Sequence, residues 1–322
     1  MNTDLPLWRK RIAEAHARIY DLVQQTPVVL IEDEPRTMSA RGFLKMEHLQ
    51  KTGSFKLRGA TNRILHLSPE EASRGVIASS TGNHGLAVAA AAANRGVPAE
   101  VYVCSQVSPQ KLRLIEDYNA RVQIVGSTPL AAELAARAAA AEFGKTYISP
   151  YNDQHVIAGQ GTVAIEIAEQ VKDADAVYVA VGGGGLIGGM GAYLKMVSPR
   201  TEIVGCWPEN ARAMYECLRA DRIIEVEEEP TLSESTAGGV EPGSITFDLC
   251  RAVIDRSVLV TEEEILDATR WAHRQGWEVE GASGVAIAAF FKDAPQLAGK
   301  TVVIVSCGGN TSPEVMARLK GM

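Results

Sequence analysis

A chain of 322 residues and 34.5 kDa, 46% hydrophobic and 22% charged, holds enough apolar side chains for a packed core, which excludes a disordered, collagen-like or disulfide-scaffold protein. A net charge of −7 argues against nucleic acid or an acidic membrane surface as partner, because either needs a basic face that releases counterions; a small-molecule substrate is expected. The five cysteines, at 104, 206, 217, 250 and 307, form no CxxC pair and no cluster with histidine, so they read as reduced thiols of a cytoplasmic protein without a metal site, and the charged, amphipathic start is no signal peptide.

Short β-branched runs alternate with longer helical stretches, which predicts an α/β protein built on parallel sheets. Strands are expected over 42–46, 76–79, 100–103, 121–125, 176–180, 202–206, 257–260 and 301–305, and helices over 86–93, 130–142, 157–171 and 262–271. The uncharged run 176–194 has the length of a membrane helix, but seven glycines, four of them consecutive, make it a strand, a tight loop and a helix start. The stretch 225–243 is expected to be irregular.

Four turns could carry chemistry. Lys51-Thr52-Gly53-Ser54-Phe55-Lys56-Leu57-Arg58-Gly59-Ala60 runs into a helix expected to begin near Ser54. A lysine in a first turn meets the positive end of the helix dipole, which lowers its pKa and suits Lys56 to Schiff-base chemistry; the plainer alternative is a solvated lysine. Ser79-Ser80-Thr81-Gly82-Asn83-His84-Gly85 follows a strand and opens an alanine-rich helix, where hydroxyls, an amide and free main-chain N–H groups make a carboxylate site. Gly182, Gly183, Gly184, Gly185 and Leu186 let amides close around a phosphate. Gly183, Gly185 and Gly188 also satisfy GxGxxG, so a nicotinamide oxidoreductase stays open, although the next strand ends in Cys206 and Trp207 instead of an acid. Ser306-Cys307-Gly308-Gly309-Asn310 closes the last strand. A lysine, an anion loop, a phosphate loop and a small polar residue at a strand end are the parts that hold pyridoxal phosphate.

Phe43-Leu44-Lys45-Met46-Glu47-His48-Leu49-Gln50, the Lys51 motif, Ser80-Thr81-Gly82-Asn83-His84-Gly85, Val156-Ile157-Ala158-Gly159-Gln160-Gly161-Thr162, Gly182-Gly183-Gly184-Gly185-Leu186 and Cys307-Gly308-Gly309-Asn310 resemble, in order, the threonine/serine dehydratase family of fold type II pyridoxal-phosphate enzymes, from about residue 20 onward. The resemblance implies a two-domain, tryptophan synthase β-like α/β fold, with 1–66 and 148–322 as the large domain, 67–147 as a small mobile one, and the cofactor in the cleft between them. It further implies that Lys56 holds the cofactor and removes the substrate's α-proton. Phe55 would pack beside the ring, Asn83 would bond the phenolic oxygen, and Gly182, Gly183, Gly184, Gly185 and Leu186 would hold the phosphate. Ser80, Thr81, Gly82, Asn83 and His84 would meet the substrate carboxylate. Cys307 falls beside the pyridine nitrogen, with Ser306 the alternative one residue earlier. A thiol there cannot hold that nitrogen protonated as an aspartate would, which favours elimination of a β-hydroxyl, giving a 2-oxo acid and ammonia. A homodimer is implied as well.

Departures from the pattern narrow this. Thr81 stands where serine racemases have serine, so racemisation is expected to be secondary. Cys206-Trp207-Pro208 and Ala213 replace the racemase-like divalent site, so no Mg²⁺ or Ca²⁺ is expected there, while a monovalent cation on main-chain carbonyls would leave no trace in sequence. With 12 residues after Asn310, the regulatory domain of biosynthetic threonine dehydratases is not expected. Residues 231–239 depart from the family's Thr-Ile-Ala-Asp-Gly, so threonine, serine and bulkier analogues such as phenylserine all stay open. A 3-hydroxyaspartate or hydroxyectoine-pathway dehydratase, a racemase and a silent binding protein are the alternatives. His16, His48, His66, His155 and His273 read as surface or packing residues, Glu166 as structural, and Trp271 and Trp277 as core.

Overall fold

A computed structural model describes residues 3–321 except 33, 35, 37–39, 81, 106 and 108, with only the main chain of 110. Its strands are β1 (Val28–Leu30), β2 (Arg41–Met46), β3 (Val76–Ser79), β4 (Ala99–Val103), β5 (Arg121–Ile124), β6 (Thr146–Tyr147), β7 (Ala176–Ala180), β8 (Glu202–Pro208), β9 (Arg256–Val260) and β10 (Thr301–Ser306). The helices are α1 (Leu5–Ile19), α2 (Lys56–Leu65), α3 (Pro69–Arg74), α4 (Asn83–Arg95), α5 (Pro109–Glu116), α6 (Pro129–Glu142), α7 (Gln154–Gln170), α8 (Gly185–Val197), α9 (Ala213–Arg219), α10 (Ile245–Val253), α11 (Glu262–Arg274), α12 (Gly281–Asp293) and α13 (Pro313–Lys320). A six-stranded sheet in the order β1-β2-β10-β7-β8-β9 is parallel apart from the β1–β2 pair, and a four-stranded sheet, β5-β4-β3-β6, is parallel throughout. Helices cover the faces, so β7 is buried at every residue, which is why its sequence is unbroken Ala-Val-Tyr-Val-Ala rather than alternating.

All eight expected strands are present to within two residues at either end. β1 and β6, of three and two residues, are too short to show a periodicity and were not expected. The run 176–194 is β7, a glycine turn and α8, and among the described residues no helix is long and apolar enough to cross a membrane. Residues 222–244 carry neither helix nor strand, as expected of the 225–243 loop. One boundary is corrected: α2 begins at Lys56, not Ser54. Ser54 bridges Gly308 in antiparallel fashion and the Phe55 N–H donates to Cys307 O at 3.1 Å, which holds the chain against the end of β10 until Phe55.

The start of α2 is pinned from below by buried charge. Arg58 donates Nε to Glu47 Oε2 at 2.8 Å and Nη2 to Glu47 Oε1 at 2.7 Å, while Nη1 and Nη2 reach Glu166 Oε1 and Oε2 at 2.6 and 2.9 Å. Lys45 donates to Glu166 Oε2 at 2.5 Å and to Thr26 O at 2.7 Å. Burial alone would raise the Glu47 carboxyl, but the Arg58 guanidinium outweighs it and holds the group below its ordinary value. All four charged side chains are at most 2% exposed. The structural reading of Glu166 thus holds, and it joins β2, α2 and α7 in one cluster.

Removing one member leaves an uncompensated buried charge, which costs about 3–5 kcal/mol. Glu166→Ala is therefore expected to lower the unfolding free energy read from urea melts by that amount, whereas removal of the exposed pair partner Glu14, by Glu14→Ala, should leave it within about 0.5 kcal/mol of the parent.

Candidate active site

Ligand sites in open parallel sheets form outside the carboxyl ends of strands, where the chain leaves neighbouring strands in opposite directions. β10 and β7 are such neighbours here, and the loops that follow them face the start of α4, which follows β3 of the smaller sheet. One cavity opens at this junction, lined by Phe55, Lys56, Asn83, Gly182, Gly183, Gly184, Gly185, Leu186 and Cys307 of the residues expected from sequence. Tyr151, Ala180, Val181, Ile187, Ser235 and Thr236 complete the wall.

Lys56 is the first residue of α2, and its Nζ donates to Pro150 O at 2.9 Å. Its pKa falls to about 8, chiefly because burial strips the ammonium of water, with Cys307 and Glu280 opposing. The sequence placed the lowering correctly but ascribed it to the helix end; lost hydration is the larger cause. Phe55 lies beside it, with the ring centroid 5.1 Å from Nζ.

The glycine loop is an anion cradle. Main-chain N–H groups of residues 182–187 meet no acceptor within the protein among the described residues, and four of these precede or open α8, at the positive end of its dipole. Gly184 has φ +82°, and a Cβ there would lie 2.5 Å from Cys250 Sγ, so only glycine fits. A Cβ on Gly183 would lie 2.4 Å from the Tyr151 ring. Gly188, the third glycine of the GxGxxG pattern, instead packs on Leu249 of α10.

Asn83 is fixed on both sides of its amide. Nδ2 donates to Glu280 Oε1 and Oε2 at 3.0 and 2.9 Å, and Oδ1 accepts from Asn310 Nδ2 at 2.6 Å. Two oxygens on one carboxyl carbon subtend a far narrower angle than the two N–H bonds of an amide, so one N–H meets the pair and the other is left for the cavity. Glu280 is buried, and burial raises its pKa against the opposing bonds from Ser235 and Asn83.

The rest of that loop is arranged differently from expectation. Ser80, Gly82 and His84 do not line the cavity. Ser80 Oγ accepts from the Gly82 N–H at 3.1 Å, so the hydroxyl caps its own turn. His84 is corrected as a side-chain ligand: its buried ring donates Nε2–H to Ile148 O at 2.8 Å, and burial drives its pKa down to about 3. What faces the loop are the N–H groups of Asn83 and His84, which have no acceptor among the described residues. Thr81 lies outside the described residues. Ser306 is corrected too, because its hydroxyl contacts His48 Nδ1 at 2.7 Å behind the wall, whereas Cys307 lines the cavity. Burial pushes the Cys307 thiol up to about 12, so it keeps its proton.

Sequence reasoning missed Tyr151 and Glu280. The only signal for Glu280 was an acid directly before the glycine that opens α12, and Tyr151 gave none. His48, read as a surface or packing residue, is buried and hydrogen-bonded. Among the described residues no group of three His, Cys, Asp or Glu side chains could hold a metal ion.

A family model described as pyridoxal-phosphate dependent enzyme matches residues 19–308. The L-threonine ammonia-lyase of Thermotoga maritima is 39% identical over 309 residues, which is 96% of this chain and 77% of that one. The catabolic L-threonine dehydratase of Staphylococcus aureus is 34% identical over 316 residues, 97% and 90% of the two chains. Among solved structures, the processed form of threonine deaminase isoform 2 from Solanum lycopersicum matches with a TM-score of 0.94 at 30% identity, covering 99% of this chain and 94% of that one. Maize serine racemase matches at 0.90 and 29% identity, covering 97% and 96%. With these matches, the nicotinamide reading of the glycine loop is abandoned.

Two outcomes are expected. Because the neutral amine is the nucleophile, the rate at which apoprotein captures pyridoxal phosphate should rise with pH and level off above about 8, followed by stopped-flow absorbance. Gly184→Ala, which forces a Cβ into a left-handed turn at about 1–2 kcal/mol, should weaken cofactor binding roughly tenfold in a fluorescence titration.

Proposed function

Because the chain belongs to the family of pyridoxal-phosphate dependent enzymes, we propose that it is an ammonia-lyase that dehydrates and deaminates a β-hydroxy-α-amino acid, threonine, serine or a bulkier analogue, to a 2-oxo acid and ammonia. The observation that carries this is one cavity holding a lysine amine of lowered pKa, an unpartnered N–H cradle at 182–187, a spare Asn83 N–H and a neutral thiol. Those groups fit the cofactor part for part: the amine its aldehyde carbon, the cradle its phosphate, Asn83 its phenolic oxygen and Cys307 its ring nitrogen.

When bound, pyridoxal phosphate supplies an electron sink for charge developing at the substrate's α-carbon. Lys56 Nζ, its pKa lowered to about 8 so that a fraction is unprotonated near neutral pH, takes the α-proton. Free N–H groups at the start of α4 hold the substrate carboxylate and so fix which bond at the α-carbon faces Lys56. Ser235 and Thr236, from the irregular 231–239 stretch, stand on the wall where the substrate's side chain would lie, which makes that stretch the determinant of side-chain size. The neutral Cys307 thiol leaves the ring nitrogen unprotonated, which favours prompt loss of the β-hydroxyl over a long-lived carbanion.

We propose further that residues 67–147, which contain the four-stranded sheet, move as a small domain over the cleft between themselves and 1–66 with 148–322, that the enzyme is a homodimer, as its family suggests, and that it works in the cytoplasm, where its five free cysteines would stay reduced.

The test is the visible spectrum of the purified protein, followed by turnover of L-threonine, L-serine, 3-hydroxyaspartate and phenylserine read as 2-oxo acid and ammonia. A yellow protein that releases both products in equal amounts is expected, and Lys56→Ala should lower the rate by at least about 10²–10⁴-fold. Loss of optical rotation without ammonia would instead identify a racemase, and a colourless protein that pyridoxal phosphate does not restore would overturn the assignment.

A further inference from the structure

Behind the cavity wall at Cys307, four side chains meet out of reach of bulk water: His48 from the turn Glu47–Leu49, Ser283 from α12, and Ser306 and Cys307 at the end of β10. His48 Nδ1 lies 2.7 Å from Ser306 Oγ, which lies 3.2 Å from Ser283 Oγ, which lies 3.8 Å from Cys307 Sγ. Two main-chain contacts order the protons of this chain. Gly308 O can only accept, and Ser283 Oγ donates to it at 2.8 Å; the Gly308 N–H can only donate, and Ser283 Oγ accepts it at 3.1 Å.

A serine hydroxyl has one proton and two lone pairs. With the proton and one lone pair of Ser283 committed to Gly308, a single lone pair is left for which the Ser306 hydroxyl and the Cys307 thiol compete. The hydroxyl is the closer and much the stronger donor. Once Ser306 has spent its only proton there, it must accept from His48, which places the imidazole proton on Nδ1. Among the described residues the thiol then has no acceptor behind it, while Cys307 lines the cavity in front.

We propose that His48, Ser306 and Ser283 are positioning residues for Cys307: donating in the order His48, Ser306, Ser283, Gly308 O, they fill the acceptors behind the thiol and turn its S–H into the cavity as a donor to the pyridine nitrogen of the cofactor. This rests on the reading of the Lys56 cavity as the cofactor site. Burial keeps both ends of the relay neutral at physiological pH, the thiol raised to about 12 and the imidazole lowered to about 4. The thiol therefore has a proton to give, and the imidazole has one N–H to place. The relay polarises the ring nitrogen without protonating it, and so sets how strongly the cofactor draws electrons.

Infrared spectroscopy of the S–H stretch reads this directly, with the Cys307 band identified by difference against Cys307→Ala. In the parent protein the band should move to lower frequency when apoprotein takes up pyridoxal phosphate. Ser306→Ala frees Ser283 to accept the thiol, so the cofactor-dependent shift should vanish and the visible absorption maximum should move with it; Ser306→Thr, which keeps the hydroxyl, should restore both. Ser306→Val, which has the size of threonine without its hydroxyl, should act as Ser306→Ala does, even if one of the two variants fails to fold. An S–H band and visible spectrum that stay at parent values in these variants would overturn the relay while leaving the function standing. A parent protein that takes up no cofactor at Lys56, shown by the absence of a visible band and of a borohydride-fixed adduct, would overturn both.

Discussion

The Arg58 guanidinium meets Glu47 and Glu166 where water does not reach, and Lys45 closes the same cluster from β2. Such a cluster adds little net stability over an apolar core, because desolvation of four charges offsets most of their attraction. What it supplies is register. Carboxylates and guanidinium fit together in one geometry only, and that geometry fixes α2 against the end of β2 and against α7. Lys56 is two residues before Arg58, and Pro150, the acceptor of its amine, lies just ahead of α7. Both the reactive amine and the partner that holds it are thus set by charges that never touch the cavity.

Close backbone packing finishes what the charges begin. A Cβ on Gly159 would lie 2.6 Å from Arg58 O, and one on Gly189 would lie 2.5 Å from Ile157 O. α2, α7 and α8 therefore touch main chain to main chain, with no side chain between them. The consequence bears on the site, because α2 and α8 both begin at the cavity: bringing their axes together brings Lys56 and the glycine loop to the wall of one small space. Gly159 belongs to the 156–162 motif, whose part in the site is this contact, made one layer away from the reactants.

What could be read in the sequence was whatever a local pattern encodes. Buried strands of a parallel sheet are unbroken apolar runs, so β3, β7 and β10 were legible almost to the residue. Lys56, Asn83, the glycine loop and Cys307 were legible because each sits at a strand-to-helix junction with its own turn chemistry. The start of α2 was misplaced because a cross-chain bridge, Ser54 to Gly308, overrides a turn that looks like a helix start. His84 was misjudged because the direction of its ring is set by Ile148, 64 residues away. Glu280 and Tyr151 act on Asn83 and on the glycine loop from distant parts of the chain, and no local pattern reports a partner so remote in sequence. That His48, Ser283 and Ser306 meet behind Cys307 was not legible, for the same reason: three elements contribute one residue each, and Ser306 stood in the sequence only as an alternative to Cys307.

The electrostatic balance of the cavity follows from these placements. Two helix N-termini, those of α4 and α8, open at it with N–H groups that have no acceptor among the described residues, which suits it to anionic groups near a single amine. Anions near an amine stabilise the ammonium, which cannot act as a nucleophile or base. Burial of Lys56 works against this, and the cradle works with burial, since N–H groups closed around a phosphate screen its charge from the lysine. Keeping Cys307 as a neutral thiol adds no further negative charge beside the amine, as an aspartate in its place would. The one buried carboxylate of the site, Glu280, accepts from Asn83 and Ser235, and those bonds disperse its charge before it reaches Lys56. A lysine left free to exchange a proton near neutral pH is therefore a property of the whole wall, held up by helix ends, a thiol and an amide together.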